Sequence, residues 1–486
     1  MVFNSFDFLI FYPIVLLLYF ALPKKLSWIM LLAASYYFYI SWNVDLIYLI
    51  VGTTLISWVS AMLIERTQKK TVKKLFLVLT LVTSLGVLFF YKYFNFLSDS
   101  VTDTLKLLGI GADPFHLDLI LPVGISFYTF QTLSYVIDVY RGEVKTERNF
   151  FFYALYVSFF PQLVAGPIER PNNLIPQLHE RHRPTWDNTR EGLRMMLIGF
   201  FKKVVVADLL AAYVNAVYND AANATGLGVL VATVLFAVQI YCDFAGYTDI
   251  AIGCARIMGI RLMQNFDRPY ISQSIQEFWR RWHISLSTWF KDYIYFPLGG
   301  SRCARWKNLR NIMIVFTVSG LWHGAAWTFV IWGALHGLYQ VIGKLLKPWR
   351  EKALEAMGID SQTKTMQFVR RAVTFALVCF AWIFFRANSM ADAMVLIGKL
   401  FTDWGLTESY WRATFDHMGL TLTTAGISAL SVYVMNRMDA TQLRLSREGD
   451  GAVPAFRYAY VVWTVALAWL LLLAGDGASA FIYFQF

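Results

Sequence analysis

Thirteen stretches of this chain are apolar enough to be read as membrane segments, and no other feature limits its fold so tightly. Among them are Phe8–Leu22, Leu46–Leu63, Leu75–Leu97, Leu227–Phe244, Trp327–Leu346, Ala372–Phe385 and Tyr458–Ala474. A helix that crosses the hydrocarbon core needs about 20 largely apolar residues. The chain is 57% hydrophobic and only 15% charged, whereas soluble domains carry about 25% charge. An all-α, polytopic transmembrane protein follows, with about 11–13 membrane segments, several of them short, broken or re-entrant. The whole of residues 1–486 reads as a single transmembrane domain, because no linker, repeat or low-complexity tract divides it.

A net charge of +11 would point to nucleic acid in a soluble protein. Here the basic residues gather at the ends of apolar runs, where they set orientation instead. Lys24, Lys25 and the cluster Arg66–Lys74 mark cytoplasmic loops, which puts the N-terminus and the Phe481–Phe486 tail on the opposite side. Four scattered cysteines form no CxxC pair, and the seven histidines show no metal-ligand spacing. Neither a metal nor a bound cofactor is expected.

The orientation scheme strains between Arg256 and Arg310, where ten lysines and arginines alternate with aromatic residues. Within it, Ser274-x-x-Glu277 reads as a capping box that opens a helix after Pro269. Gln276, Trp279 or Arg280, and His283 fall on one side of that helix, and Glu277 reaches Arg280 or Arg281. An amphipathic interfacial helix accounts for the same residues. A second motif, Ser319-Gly-Leu-Trp-His323-Gly, places a histidine inside an apolar run, which makes His323 a functional candidate by default. Its bland alternative is a packing role. His336 lies thirteen residues further on, well round a continuous helix from His323, and carries less weight. Gly320-x-x-x-Gly324 and Gly333-x-x-x-Gly337 permit close helix packing. Two irregular motifs, Leu121–Gln131 and Phe160–Arg170, place Pro, Gly and polar side chains at membrane depth, as broken helices do. Asp243 and Asp249 are read as structural partners of the basic block.

Histidine suits acyl transfer, because a base must remove the acceptor's hydroxyl proton and imidazole titrates near neutral pH. A site closed to water protects an activated donor from hydrolysis.

The motifs LPVGISFYTFQ, FFPQLVAGPIER, YCDFAGYTDIAIG, NFDRPYISQSIQEFWRRWHISLSTWF and SGLWHGAAWTFVIWGALHG resemble the membrane-bound O-acyltransferases. The likeness covers the whole chain and is close to the bacterial branch with alginate O-acetyltransferase and the D-alanyl transferase of teichoic acid. It implies a ring of tilted helices around a central membrane tunnel, with His323 at the family's essential histidine position and His283 at the second. It also implies acetyl-CoA as donor on the cytoplasmic side of a bacterial inner membrane. The acetyl group would pass, through an extracytoplasmic GDSL/SGNH-type acetyltransferase, to a polysaccharide such as alginate. On this reading His323 and His283 are catalytic. Trp279, Trp282, Trp322, Gln276 and Ser319 line the substrate path, and Arg280, Arg281, Lys291 and Arg302 attract the donor's phosphates. Direct attack by the acceptor and an acetyl-histidine intermediate both stay open. A transporter, which predicts paired internal repeats, and a scaffold of a polysaccharide export complex, which predicts dispensable histidines, are the other classes.

Overall fold

The computed structural model describes residues 1–448, 463–469 and 481–482. The expected last span Tyr458–Ala474 is described only at 463–469, and most of the Phe481–Phe486 tail lies outside the described residues. Every regular element among the described residues is helical.

Five helical stretches are long and apolar enough to cross a membrane: Val44–Arg66, Lys70–Leu107, Gly226–Ile257, Trp327–Ala356 and Lys364–Arg386. A pair bent by 63°, Glu408–Met418 with Leu422–Gln442, makes a sixth if counted as one span. The figure of 11–13 segments included shorter pieces, and local sequence divides several of these. The run Phe150–Val164 is helical only to Ser158, ahead of Pro161. The run Met195–Val214 is split by a π-helical segment at Phe201–Ala207. Ile312–Val318 lies within the helix Arg305–His323, whose first turns carry Arg305, Lys307 and Arg310.

The chain packs as two compact units. The first comprises Met1–Met196 and Ile250–Gln264. Its centre is the irregular pair of motifs noted in the sequence. Gly124 adopts φ 75°, and a Cβ there would lie 2.7 Å from the Leu163 carbonyl oxygen, so only glycine allows the two segments to meet. Gln131 and Gln162 both donate their side-chain amides to the Tyr156 carbonyl, at 2.9 and 2.8 Å. These bonds pair polar groups that an irregular backbone would otherwise leave open in an apolar setting. Around them Tyr128, Tyr135, Tyr153 and Tyr156 are fully buried.

The second unit comprises Leu197–Asp249 and Asn265 onward and contains both candidate histidines. Its core is a cluster of aromatic rings drawn from helices distant in sequence. Trp332 stacks on Trp382 at 5.6 Å, and Trp282 stands 5.1 Å from Trp382. All three are essentially fully buried.

Candidate active site

The first candidate segment forms the short helix Ile275–Arg281. Ser274 caps it, its hydroxyl accepting the Glu277 N–H at 3.1 Å. Glu277 returns the favour one residue further back than a standard box, accepting the Gln273 N–H at 2.8 Å. Its other oxygen accepts from Arg281 at 3.0 Å. The helix then stops. Trp282 is extended and His283 is left-handed, with φ 42° and ψ 56°. The expected alignment of Gln276, Trp279 or Arg280 and His283 on one continuous helix face is therefore corrected, because the helix ends before His283.

A left-handed residue other than glycine costs about 1–3 kcal/mol, so its surroundings must hold it. Asn265 does so: its carbonyl accepts the Ile284 N–H at 2.9 Å, and its side-chain oxygen accepts the Ser285 hydroxyl at 2.6 Å. Asn265 and Ser285 are both buried. The turn points His283, itself fully buried, at Phe244, 4.7 Å away between ring centres.

His323 ends the helix Arg305–His323, and the next helix begins at Trp327. The break at Gly324 corrects the angular argument that set His336 on the far side of a continuous helix. Gly324 is packed against the next helix, and a Cβ on it would lie 2.1 Å from the Phe329 ring. The two helices approach at Gly320 and Gly333. A Cβ on Gly333 would meet the Phe316 carbonyl oxygen at 2.3 Å, and one on Gly320 the Phe329 carbonyl oxygen at the same distance. Gly333→Ala is expected to lower stability by about 1–3 kcal/mol through overpacking. Thermal unfolding in detergent measures it, and an unchanged midpoint would mean the helices separate without strain.

These two folds of the backbone bring His283 and His323 together, with ring centres 6.2 Å apart. Trp322 lies 5.0 Å from His323, Trp332 4.9 Å and Phe385 5.5 Å. His323 is 4% exposed. Two imidazoles in a chamber walled by aromatic rings can exchange a proton with a reacting hydroxyl while water is kept out.

A cavity of about 1300 Å³ lies in the same unit. Gln276, Trp279, Arg280, Lys291 and Ser319 line it, together with Lys344, Lys347, Arg350 and Arg370. Among the described lining residues six are cationic and none is a carboxylate. Ser319 sits one helical turn before His323, so the cavity reaches the level of the histidines. Trp282, Trp322, His283 and His323 are not in its lining. Nor are two of the expected donor-binding cations. Arg281 is held instead by Asp267 and Glu277, each at 3.0 Å, and Arg302 falls outside the lining although its neighbour Ser301 contributes to it. The lining cations between Lys344 and Arg370 are not among the sequence candidates. Their cue was available: Lys344, Lys347 and Arg350 recur every three residues on one helix.

Sequence reasoning also missed a buried charge cluster. In the π-helical segment Phe201–Ala207, Lys202 binds Asp249 and Asp439 at 2.8 Å each. Lys203 binds Asp243 at 2.6 Å and Asp208 at 2.9 Å. Asp243 and Asp249 are structural partners of lysines, as expected, but of these two and not of the Arg256–Arg310 block. Asp243 also accepts the Ile482 N–H at 2.7 Å, and Lys203 lies 4.6 Å over the Phe481 ring. Two consecutive lysines inside the apolar run Gly199–Ala207 were the signal. No group of three His, Cys, Asp or Glu side chains among the described residues is placed to hold a metal ion.

Comparison with known proteins converges on one group. Residues 143–392 match the model of the membrane-bound O-acyltransferase family. The chain is 38% identical to the probable alginate O-acetylase AlgI of Pseudomonas putida, over 100% of both chains. It is 35% identical to the peptidoglycan O-acetyltransferase of Helicobacter pylori, over 76% of this chain and 72% of that one. The teichoic acid D-alanyltransferase of Bacillus subtilis is 29% identical, over 55% of this chain and 69% of its own.

Proposed function

The chain belongs to the membrane-bound O-acyltransferase family, and we propose that it moves acetyl groups from cytoplasmic acetyl-CoA towards an extracytoplasmic polysaccharide. It is a multi-pass membrane O-acyltransferase; the donor, the acceptor and the membrane are what this reading adds. The observation that carries it is the cationic cavity that reaches Ser319, one turn from His323. Six cations unopposed by lining carboxylates suit a ligand with several phosphates, and the aromatic wall beyond suits a small thioester end. In this reading His323 takes the proton of the acceptor hydroxyl as its oxygen attacks the thioester carbonyl. The new C–O bond forms, the C–S bond breaks, and the imidazolium returns the proton to the departing thiolate. His283 holds the thioester or the intermediate in place.

The likeness to alginate O-acetylases over the full chain favours an alginate-like exopolysaccharide in the cytoplasmic membrane of a bacterium. A GDSL/SGNH-type acetyltransferase outside the membrane would complete the transfer. The test supplies radiolabelled acetyl-CoA to the cytoplasmic face of membrane vesicles and follows label into extracytoplasmic material. Label retained on the donor by active vesicles would overturn the reading. Lys347→Glu with Arg350→Glu is expected to raise the KM for acetyl-CoA about tenfold and to flatten its salt dependence. An unchanged KM would remove the cavity from donor binding.

A further inference from the structure

His336 is fully buried and absent from the cavity lining, yet its one side-chain hydrogen bond among the described residues goes to a residue that does line it. The Trp279 indole N–H donates to His336 Nδ1 at 3.2 Å. Indole nitrogen only donates, so Nδ1 is unprotonated and the neutral ring carries its proton on Nε2. Nε2 has no partner among the described residues. Aromatic rings surround the imidazole. Phe278 lies parallel to it at 6.1 Å, and Trp279 and Trp332 meet it nearly edge-on at 5.1 Å each. Packing alone would be served by a phenylalanine, which leaves no polar nitrogen unpaired in such a site. The nitrogen that is used is the one that fixes Trp279. The neighbouring Trp282 and Trp332 indoles make no such bond among the described residues.

Trp279 occupies a decisive place. It is 5.7 Å from Trp332, and Trp332 is 4.9 Å from His323. Trp279 thus lines the cavity and is linked through Trp332 to His323 by ring contacts, while Ser319, one turn before His323, lines the same cavity. We propose that His336 is a positioning residue: by accepting the Trp279 indole N–H it holds that ring as the end wall of the cavity, and so limits the acyl group to acetyl size. The inference rests on the donor reading above. It goes further in naming what sets acyl length and which residue, outside the cavity itself, controls it. Freed of its acceptor, the indole can turn, and the space it sweeps admits additional methylenes.

The experiment measures transfer from acetyl-, propionyl- and butyryl-CoA in vesicles and reads the butyryl-to-acetyl ratio. His336→Leu is expected to raise that ratio roughly tenfold, the discrimination that a hydrophobic pocket exerts on chain length. His336→Gln, whose amide oxygen can accept the indole proton, keeps the wild-type ratio. Trp279→Phe, which removes the donor and keeps a ring, matches His336→Leu, and combining the two adds nothing. A merely structural histidine would instead lower transfer of all three thioesters alike. The proposal is overturned by an unchanged ratio in Trp279→Phe or His336→Leu, or by a raised ratio in His336→Gln. Should His336→Leu fail to accumulate, Trp279→Phe and His336→Gln decide by the same rule. Wild-type vesicles that use no CoA thioester would remove the donor reading and this inference together. Transfer by the wild type with unaltered ratios in the variants would remove only the role of His336.

Discussion

Replacing His323 with alanine is expected to reduce acetyl transfer by about 10²–10⁴-fold, the usual contribution of a positioned general base. The variant should still bind donor, because His323 is not in the lining of the cationic cavity. The loss should therefore fall on turnover and leave the KM for acetyl-CoA near the wild-type value. Its surroundings, Trp322, Trp332 and Phe385, leave a small void after truncation, so thermal stability must be measured beside activity. Full transfer by a folded His323→Ala protein would end the assignment and bring the scaffold class forward. His283→Ala, made in parallel, removes a residue already held in a left-handed turn. Loss of turnover there with a normal melting midpoint would place both imidazoles in the chemistry.

Lys203→Met is expected to cost about 3–5 kcal/mol, because removing one member of a buried ion pair leaves an uncompensated charge. The lysine side chain is 2% exposed and so is that of its partner Asp243. Asp208, the second partner, is 27% exposed and can turn to solvent. The burden therefore falls on Asp243. Lys203→Met combined with Asp243→Asn should recover part of the loss, since asparagine is neutral and its amide oxygen still accepts the Ile482 N–H. The melting midpoint in detergent and the yield of monodisperse protein measure both. Equal stability of the single and double variants would mean that Asp243 is solvated when Lys203 is absent.

The capping of Ile275–Arg281 was legible because Ser274 and Glu277 are one turn apart, and a cap depends on nothing more distant. The close approach at Gly320 and Gly333 was legible for a similar reason: glycines spaced by four mark a helix surface that backbones can touch. The turn at His283 was not. Its left-handed geometry is imposed by Asn265, which lies before the Pro269 break and beyond the reach of any helical periodicity. Nor were the partners of Lys202, one of which is 47 residues away along the chain and the other, Asp439, far more distant. The separation of useful from engaged cations followed the same rule. Arg280 and Arg281 are neighbours of one residue type, yet one faces the cavity and the other is held by two carboxylates.

What the sequence determined by itself was the solvent of the fold and the identity of its unusual residues. Hydropathy is summed along the chain, so apolar runs declare a membrane protein whatever they pack against, and a histidine inside such a run stands out without any knowledge of its neighbours. What the tertiary structure alone decided was direction. Where the helices stop, at Arg281 and at His323, determines that two imidazoles from separate segments converge in one aromatic chamber. Which cations face a common cavity, and that His336 meets Trp279, follow from the crossing of helices far apart in sequence. A side chain's direction depends on contacts that no local pattern encodes.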